Sequence, residues 1–340
     1  MRFQGVVFDI VYNVLMSVEM FSHETPPSAQ EIENNPESLD ILRERLSVMA
    51  ERVNTELEKE GIKPILDNRG RITMSAYEGE FQYPEHRVKD EMLRVETIEN
   101  NFVSRIEKED SDRYYYEYGA VSGEEIAQAW RKERGVSLSE QWEMYMTVLF
   151  NELFGEDFFV LRTSTFDDYV SGVDTLIIHK ETGEVVCAVD EVSLGKNSEG
   201  KRKKQEKVCH ANEEGGKTVK YGVVKKNGQF VLGENRHVPI LYAGITVEDL
   251  ERVLLLSSTA TDEQKVHSEE VALCKRLLDD MTTQAAEMEV AVIEKEQERQ
   301  SNHNGLRIAE QIPLEGSPVK RNIWMAQRRF KDMQKTLEEY

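Results

Sequence analysis

Three stretches of the chain hold residue types that could act together on a charged substrate. They are Asp168-Tyr-Val-Ser-Gly-Val-Asp174, Val185-Val-Cys-Ala-Val-Asp190-Glu191-Val192, and the basic run from Lys196 to Lys207. Asp174 and Asp190 are each embedded in apolar residues. An acid in a buried strand costs several kcal/mol of desolvation unless a metal, a cation or a hydrogen-bond donor compensates it. Hard divalent cations take oxygen ligands, so carboxylates from separate elements that converge on one point could hold such an ion and hydrolyse a phosphodiester. The basic run sets six cations against two glutamates in a chain of net charge −21. Phosphate is the natural counterpart of that local reversal. Each feature also has an ordinary structural meaning: a strand-end Asp bonded to backbone amides, a solvated acidic pair, a solvated helix face.

The elements that would position these residues are legible from Ser137 onward. Ser137-Leu-Ser-Glu140 has capping-box spacing, and Trp142, Tyr145, Met146, Leu149 and Leu153 extend a helical stripe to Gly155. Phe158 to Thr163, Val173 to Ile178 and Val185 to Val192 read as strands, the last two joined as a hairpin through Glu181-Thr-Gly-Glu184. Asp174 then lies near the start of one hairpin strand and Asp190 near the end of the next, so antiparallel pairing sets them side by side. Asn197 to Ala211 reads as a mostly exposed helix, its end marked by Gly215-Gly216. Lys217 to Val224 and Val238 to Ala243 follow as strands, and Thr246 to Leu256 as a closing helix.

The order helix, three strands, helix, strand, with an Asp on the second strand and an acidic pair ending the third, resembles the PD-(D/E)XK nuclease superfamily over residues 139–256. The resemblance implies a restriction-endonuclease-like α/β core at 137–256 with mainly helical N- and C-terminal extensions. It also implies Mg2+ or Mn2+ on Asp174 and Asp190, the backbone carbonyl of Glu191 completing the site, and a further acid, Glu143 or Glu140, from the preceding helix. The family lysine, two residues after the acid, is replaced by Val192. In some members this cation has migrated to the neighbouring helix or strand. Lys203 or Lys204 is expected to take its role, with Gln205 as a polar neighbour, while Lys196, Lys201, Arg202 and Lys207 would contact nucleic acid. The implied activity is metal-dependent hydrolysis of DNA or RNA. The alternative is an inactive nuclease fold that acts as a binding or scaffold protein.

The rest of the chain bounds these readings. Hydrophobic residues at 39% and charged residues at 31% describe a globular chain with solvated helices. No apolar run of spanning length occurs, so no membrane partner is expected. Gly5 to Met16 is apolar but carries Asp9 and Asn13 and lacks a cleavage pattern, so the expected location is cytoplasmic. Its Val6-Val-Phe-Asp9 run is similar to a phosphatase first strand, but Val11 stands where a second Asp is required. Cys187, Cys209 and Cys274 are too dispersed for a zinc or disulfide motif. The acidic balance counts against generic nucleic-acid binding, though screening over about 8 Å leaves a local basic site free to act.

Residues 1–136 read as a mainly helical region with irregular loops. Ser38 to Glu60 forms its clearest helix, 21–37 and 61–90 read as loops or short strands, and Tyr114 to Tyr118 as an aromatic edge docked on the core. Asp262 to Arg299 reads as one long helix, 301–318 as a linker, and Val319 to Tyr340 as a basic amphipathic helix with Trp324 and Phe330. These terminal helices are the expected route to a protein partner or a homo-oligomer.

Overall fold

The apolar stripe Leu42, Leu46, Met49, Val53 and Leu57 is buried along α1 (Pro36–Lys59), in a computed structural model that describes residues 36–79, 83–194, 198–259, 263–303 and 318–338. Helix α1 ends where Gly61 takes a φ of +86° and the Ile62 amide returns to the Leu57 carbonyl, a left-handed turn that a side chain would strain. The following loop is held by the Asn54 carboxamide, whose oxygen accepts from the Ile65 and Leu66 amides. The Ile72 amide then bonds to the Arg162 carbonyl, which fixes Arg71 against the sheet edge.

The loop expected over 61–90 extends only as far as Pro84. Proline sets the N-cap of α2 (Glu85–Glu109), and α3 (Ser111–Tyr118) and α4 (Gly123–Arg134) follow. Ser122 and Glu125 form a reciprocal capping box at the start of α4, a signal present in the sequence. Val103, Tyr114, Ile126 and Ala129 make a small satellite core between these helices. Tyr114 is buried in it, whereas Tyr115 and Tyr116 are exposed.

Helix α5 (Leu138–Phe154) leads into β1 (Phe158–Arg162), the short α6 (Thr165–Ser171), β2 (Thr175–His179) and β3 (Val185–Leu194). Strands β1, β2 and β3 pair antiparallel in sequence order. Helix α7 (Ser198–Glu213) crosses over, and β6 (Ile240–Thr246) joins β3 in parallel, completing a mixed sheet of order β1-β2-β3-β6. A parallel neighbour needs such a crossover connection.

Between α7 and β6 stands a separate hairpin, β4 (Lys217–Lys226) and β5 (Gln229–Val238). Asn227 and Gly228 both take positive φ at its two-residue turn, the geometry that suits hairpin twist. The strand expected over 238–243 is thus divided: Pro239 separates β5 from β6, and its carbonyl accepts from the Ala188 amide. Proline cannot donate to a ladder.

Helices α8 (Val247–Thr259), α9 (Glu263–His303) and α10 (Pro318–Glu338) close the chain. Helix α10 packs on α9, β3 and β5 through Val319, Ile323, Ala326, Phe330, Met333 and Leu337, all buried. The buried residues of α1, α5, the sheet, α9 and α10 form one continuous apolar cluster. The protein is therefore mixed α/β, with a small mixed sheet and helical ends. Among the described residues no helix is long and apolar enough to cross a membrane. The Gly5 to Met16 run and the 304–317 part of the expected linker lie outside the described residues.

Candidate functional site

The β2–β3 ladder ends with Thr175 against Val189, and Asp174, the residue before Thr175, lies at the same sheet end as Asp190, whose charge acts on it. The ladder opens there: the Asp174 amide donates to the Val189 carbonyl at 3.0 Å, while the Glu191 amide donates to Asp174 Oδ2 at 2.9 Å. A carboxylate has taken the place of a main-chain acceptor. Both aspartates are buried, at 8% exposure each, and Glu191 is 1% exposed.

Lys204 comes from α7 and places its Nζ 2.7 Å from Asp190 Oδ1 and 3.2 Å from the Glu191 carbonyl oxygen. The basic run thus brings an ammonium onto the Asp190 end of β3. Lys203, one position earlier, is exposed on the helix surface. Gln205 turns to the Tyr242 hydroxyl at 2.5 Å, steadying α7 against β6. Arg202 is exposed and pairs with Glu206 one turn away, the solvated-face meaning of a charge run. Lys207 is half-buried and Lys201 lies in α7, while Lys196 falls outside the described residues.

Lys217, at the start of β4, also faces the Asp190 charge. Burial lowers its pKa while Asp190 raises it. Nothing in its sequence context marks it out; it follows directly on the Gly215-Gly216 turn, where both glycines take positive φ. Arg71, Arg134 and Arg162 were likewise not legible as site residues. Arg162 is fully buried and donates to Glu143 at 2.7 Å, with Glu140 at 3.0 Å. Arg71 reaches Asp168 at 3.0 Å and Glu143 at 3.3 Å, and Arg134 reaches Asp168 at 3.2 Å.

This network divides the acids into two kinds. Burial pushes Glu140 up, but Arg162, Arg71 and Arg69 outweigh it and hold its pKa at about 2. Glu140 also donates its amide to the Ser137 hydroxyl, so half of the expected capping box forms while its carboxylate serves the arginines. Burial and the Glu140 charge raise Glu143 despite its two guanidiniums. Burial, then the charges of Glu143, Asp190 and Glu191, raise Asp174 far above the usual carboxylate range. Glu191 is raised well up by burial and Glu143, with Thr175 and Asp174 pulling it down. Its two carboxylate oxygens are buried without a hydrogen bond of ordinary geometry. A buried polar group left in that state is costly.

Asp167 belongs to the frame and not to the site. Its oxygens accept from the Lys220 and Tyr221 amides and the Ser164 hydroxyl, tying α6 to β4. Burial lifts it to about 6 against these bonds.

The donors at the sheet end are two carboxylates and a carbonyl oxygen. Among the described residues no three His, Cys, Asp or Glu side chains gather closely enough to hold a metal ion as a group. Mg2+ is commonly bound by one or two carboxylates with waters and substrate phosphate, not by an all-protein cage. The Asp174, Asp190 and Glu191 carbonyl set fits that pattern, and Lys204 touches two of these donors already. No protein-family model, curated protein or solved structure matches the chain.

Proposed function

We propose that the chain is a metal-dependent hydrolase of phosphodiester bonds in DNA or RNA, with a PD-(D/E)XK-like site. The observation that carries this reading is the Lys204 ammonium beside Asp190 and the Glu191 carbonyl, which supplies from α7 the cation that Val192 omits from β3. The element order adds support. Helix α5, strands β1, β2 and β3, helix α7 and strand β6 follow the order of a restriction-endonuclease-like core, with the β4–β5 hairpin inserted before the last strand.

Asp174, Asp190 and the Glu191 carbonyl would hold Mg2+ or Mn2+, which when bound polarises a phosphoryl oxygen and acidifies a water. The protein's own residues would do the rest. Lys204 would orient the attacking water and offset charge developing on the phosphoryl oxygens. Lys217, its pKa lowered by burial, would add positive charge from the β4 side. Glu143 would act through Asp174, since Arg162 and Arg71 already engage its carboxylate.

Purified protein with Mg2+ or Mn2+ is expected to cut labelled DNA or RNA, and chelation should stop it. One observation favours a second reading, an inactive fold used for binding. Asp190 already has its cation in Lys204, and Glu143 has two guanidiniums, so these charges are balanced without a metal. Manganese titration followed by electron paramagnetic resonance separates the two. Saturable Mn2+ binding lost in Asp174→Asn and Asp190→Asn supports the hydrolase; no binding by a folded protein supports the scaffold.

A further inference from the structure

Helix α10 buries one heptad stripe and exposes another. The exposed positions run Arg321, Trp324, Arg328, Lys331 and Lys335 at alternating spacings of three and four, before Glu338 ends the series. At 1.5 Å per residue this ridge is about 21 Å long. Its four cations make no ion pair among the described residues, whereas the half-buried Arg329 is engaged by Glu184 and Asp332. Trp324 is 53% exposed in the middle of the ridge. In a chain of net charge −21 this surface has the opposite sign to most of the rest.

We infer that the α10 ridge binds single-stranded nucleic acid, its cations on the phosphates and Trp324 stacked on a base. Charge complementarity selects a polyanion, and the exposed indole selects one with unpaired, accessible bases. A lipid surface is disfavoured by the same helix. Membrane-surface helices insert an apolar face, and that of α10 is already buried against α9, β3 and β5. Phe330, grouped with Trp324 in the sequence reading, is fully buried and takes no part. The inference shares its phosphodiester ligand with the proposed function and rests on that reading only for the ligand's fate, since binding needs no metal.

The test uses the full chain in EDTA with a fluorescent oligothymidylate, read by anisotropy across a salt series. Neutralising four phosphates predicts a slope of log affinity against log salt of about −2.8, and removing two cations should reduce its size by about 1.4. Arg328→Gln with Lys331→Gln is the removing pair, and Arg328→Lys with Lys331→Arg should keep the slope. Trp324→Ala should weaken binding by roughly 5- to 100-fold. Tryptophan quenching by the oligonucleotide should disappear with it, because Trp142 is fully buried and Trp130 half-buried. The substituted residues are exposed, so an unchanged melting curve is expected for each variant. Unchanged affinity and slope in the Gln pair and in Trp324→Ala would overturn the inference. Equal binding of duplex, or stronger binding of anionic lipid vesicles, would overturn it as well. Ridge-dependent binding in EDTA by a protein that cuts nothing with Mn2+ would leave the ridge standing while the catalytic reading fails, which keeps the two failures distinct.

Discussion

Lys204 and Asp190 form an ion pair at 2.7 Å between the crossover helix and the central strand, and the same ammonium rests 3.2 Å from the Glu191 carbonyl. The pair is largely buried, with side-chain exposures of 25% and 11%. Removing one partner of such a pair leaves the other charge uncompensated. Lys204→Ala is expected to lower stability by about 1–3 kcal/mol, measured by urea unfolding. If Lys204 serves the reaction, cleavage should also fall by about 100-fold or more. Lys204→Arg should recover stability better than activity, because a planar guanidinium does not replace a compact ammonium at the same point. Equal recovery of both would assign Lys204 a structural role only.

Asp174 is held far above its ordinary pKa by burial and by the neighbouring charges of Glu143, Asp190 and Glu191. A carboxyl raised in this way favours the folded state fully below its unfolded pKa, and that contribution is lost as pH rises through the folded pKa. Asp174→Asn keeps an oxygen for the Glu191 amide and removes the charge. It should therefore be more stable than the parent at neutral pH by about 0.5–2 kcal/mol, with the gain fading toward pH 4. Measured at pH 4.5 and 7.5, a variant no more stable at the higher pH would show that the acids do not strain one another.

Arg162 sits at the end of β1 with no exposure and binds both Glu140 and Glu143. Arg162→Met leaves two buried acids with fewer cations. The expected loss is about 3–5 kcal/mol, read by thermal or urea unfolding. A loss under about 1 kcal/mol would mean that Arg71 and Arg69 compensate the two acids without it.

Asp167 gives a pH signature away from the site. Its folded pKa of about 6 exceeds the ordinary 3.8, so its contribution is full below about pH 4 and is lost as pH rises through about 6. The stability difference between the parent and Asp167→Asn should therefore shrink by about 1 kcal/mol from pH 5 to pH 7. A constant difference would place the Asp167 pKa near its unfolded value.

The two aspartates were legible because a hairpin with a four-residue turn fixes which strand ends meet, and the register bears this out at Thr175 and Val189. Lys204 was legible only as one of two neighbours on a basic run. The helical phase of α7, which turns residue 204 toward the sheet and leaves 203 exposed, depends on packing against β6. Strand β5 was not among the expected elements: it is polar and has little apolar alternation to read, although Asn227-Gly228 is a turn signal for the hairpin. Arg71 had no local signal, since a loop positions it through the Ile72 amide on the Arg162 carbonyl and through its own main chain on Asp67. The helices of 85–134 were obscured by their charge: few of their residues reach a core, and the satellite cluster that they build is small.

Phosphodiester cleavage at Asp174 and Asp190 is open to a single assay. Parent protein and Asp190→Asn are compared on end-labelled single-stranded DNA and RNA with Mn2+, each confirmed as folded by circular dichroism. Mn2+-dependent product is expected from the parent, none with EDTA, and at least about a 100-fold loss in the variant. A folded parent that cuts neither substrate, or a variant that cuts as fast as the parent, would contradict cleavage at this site.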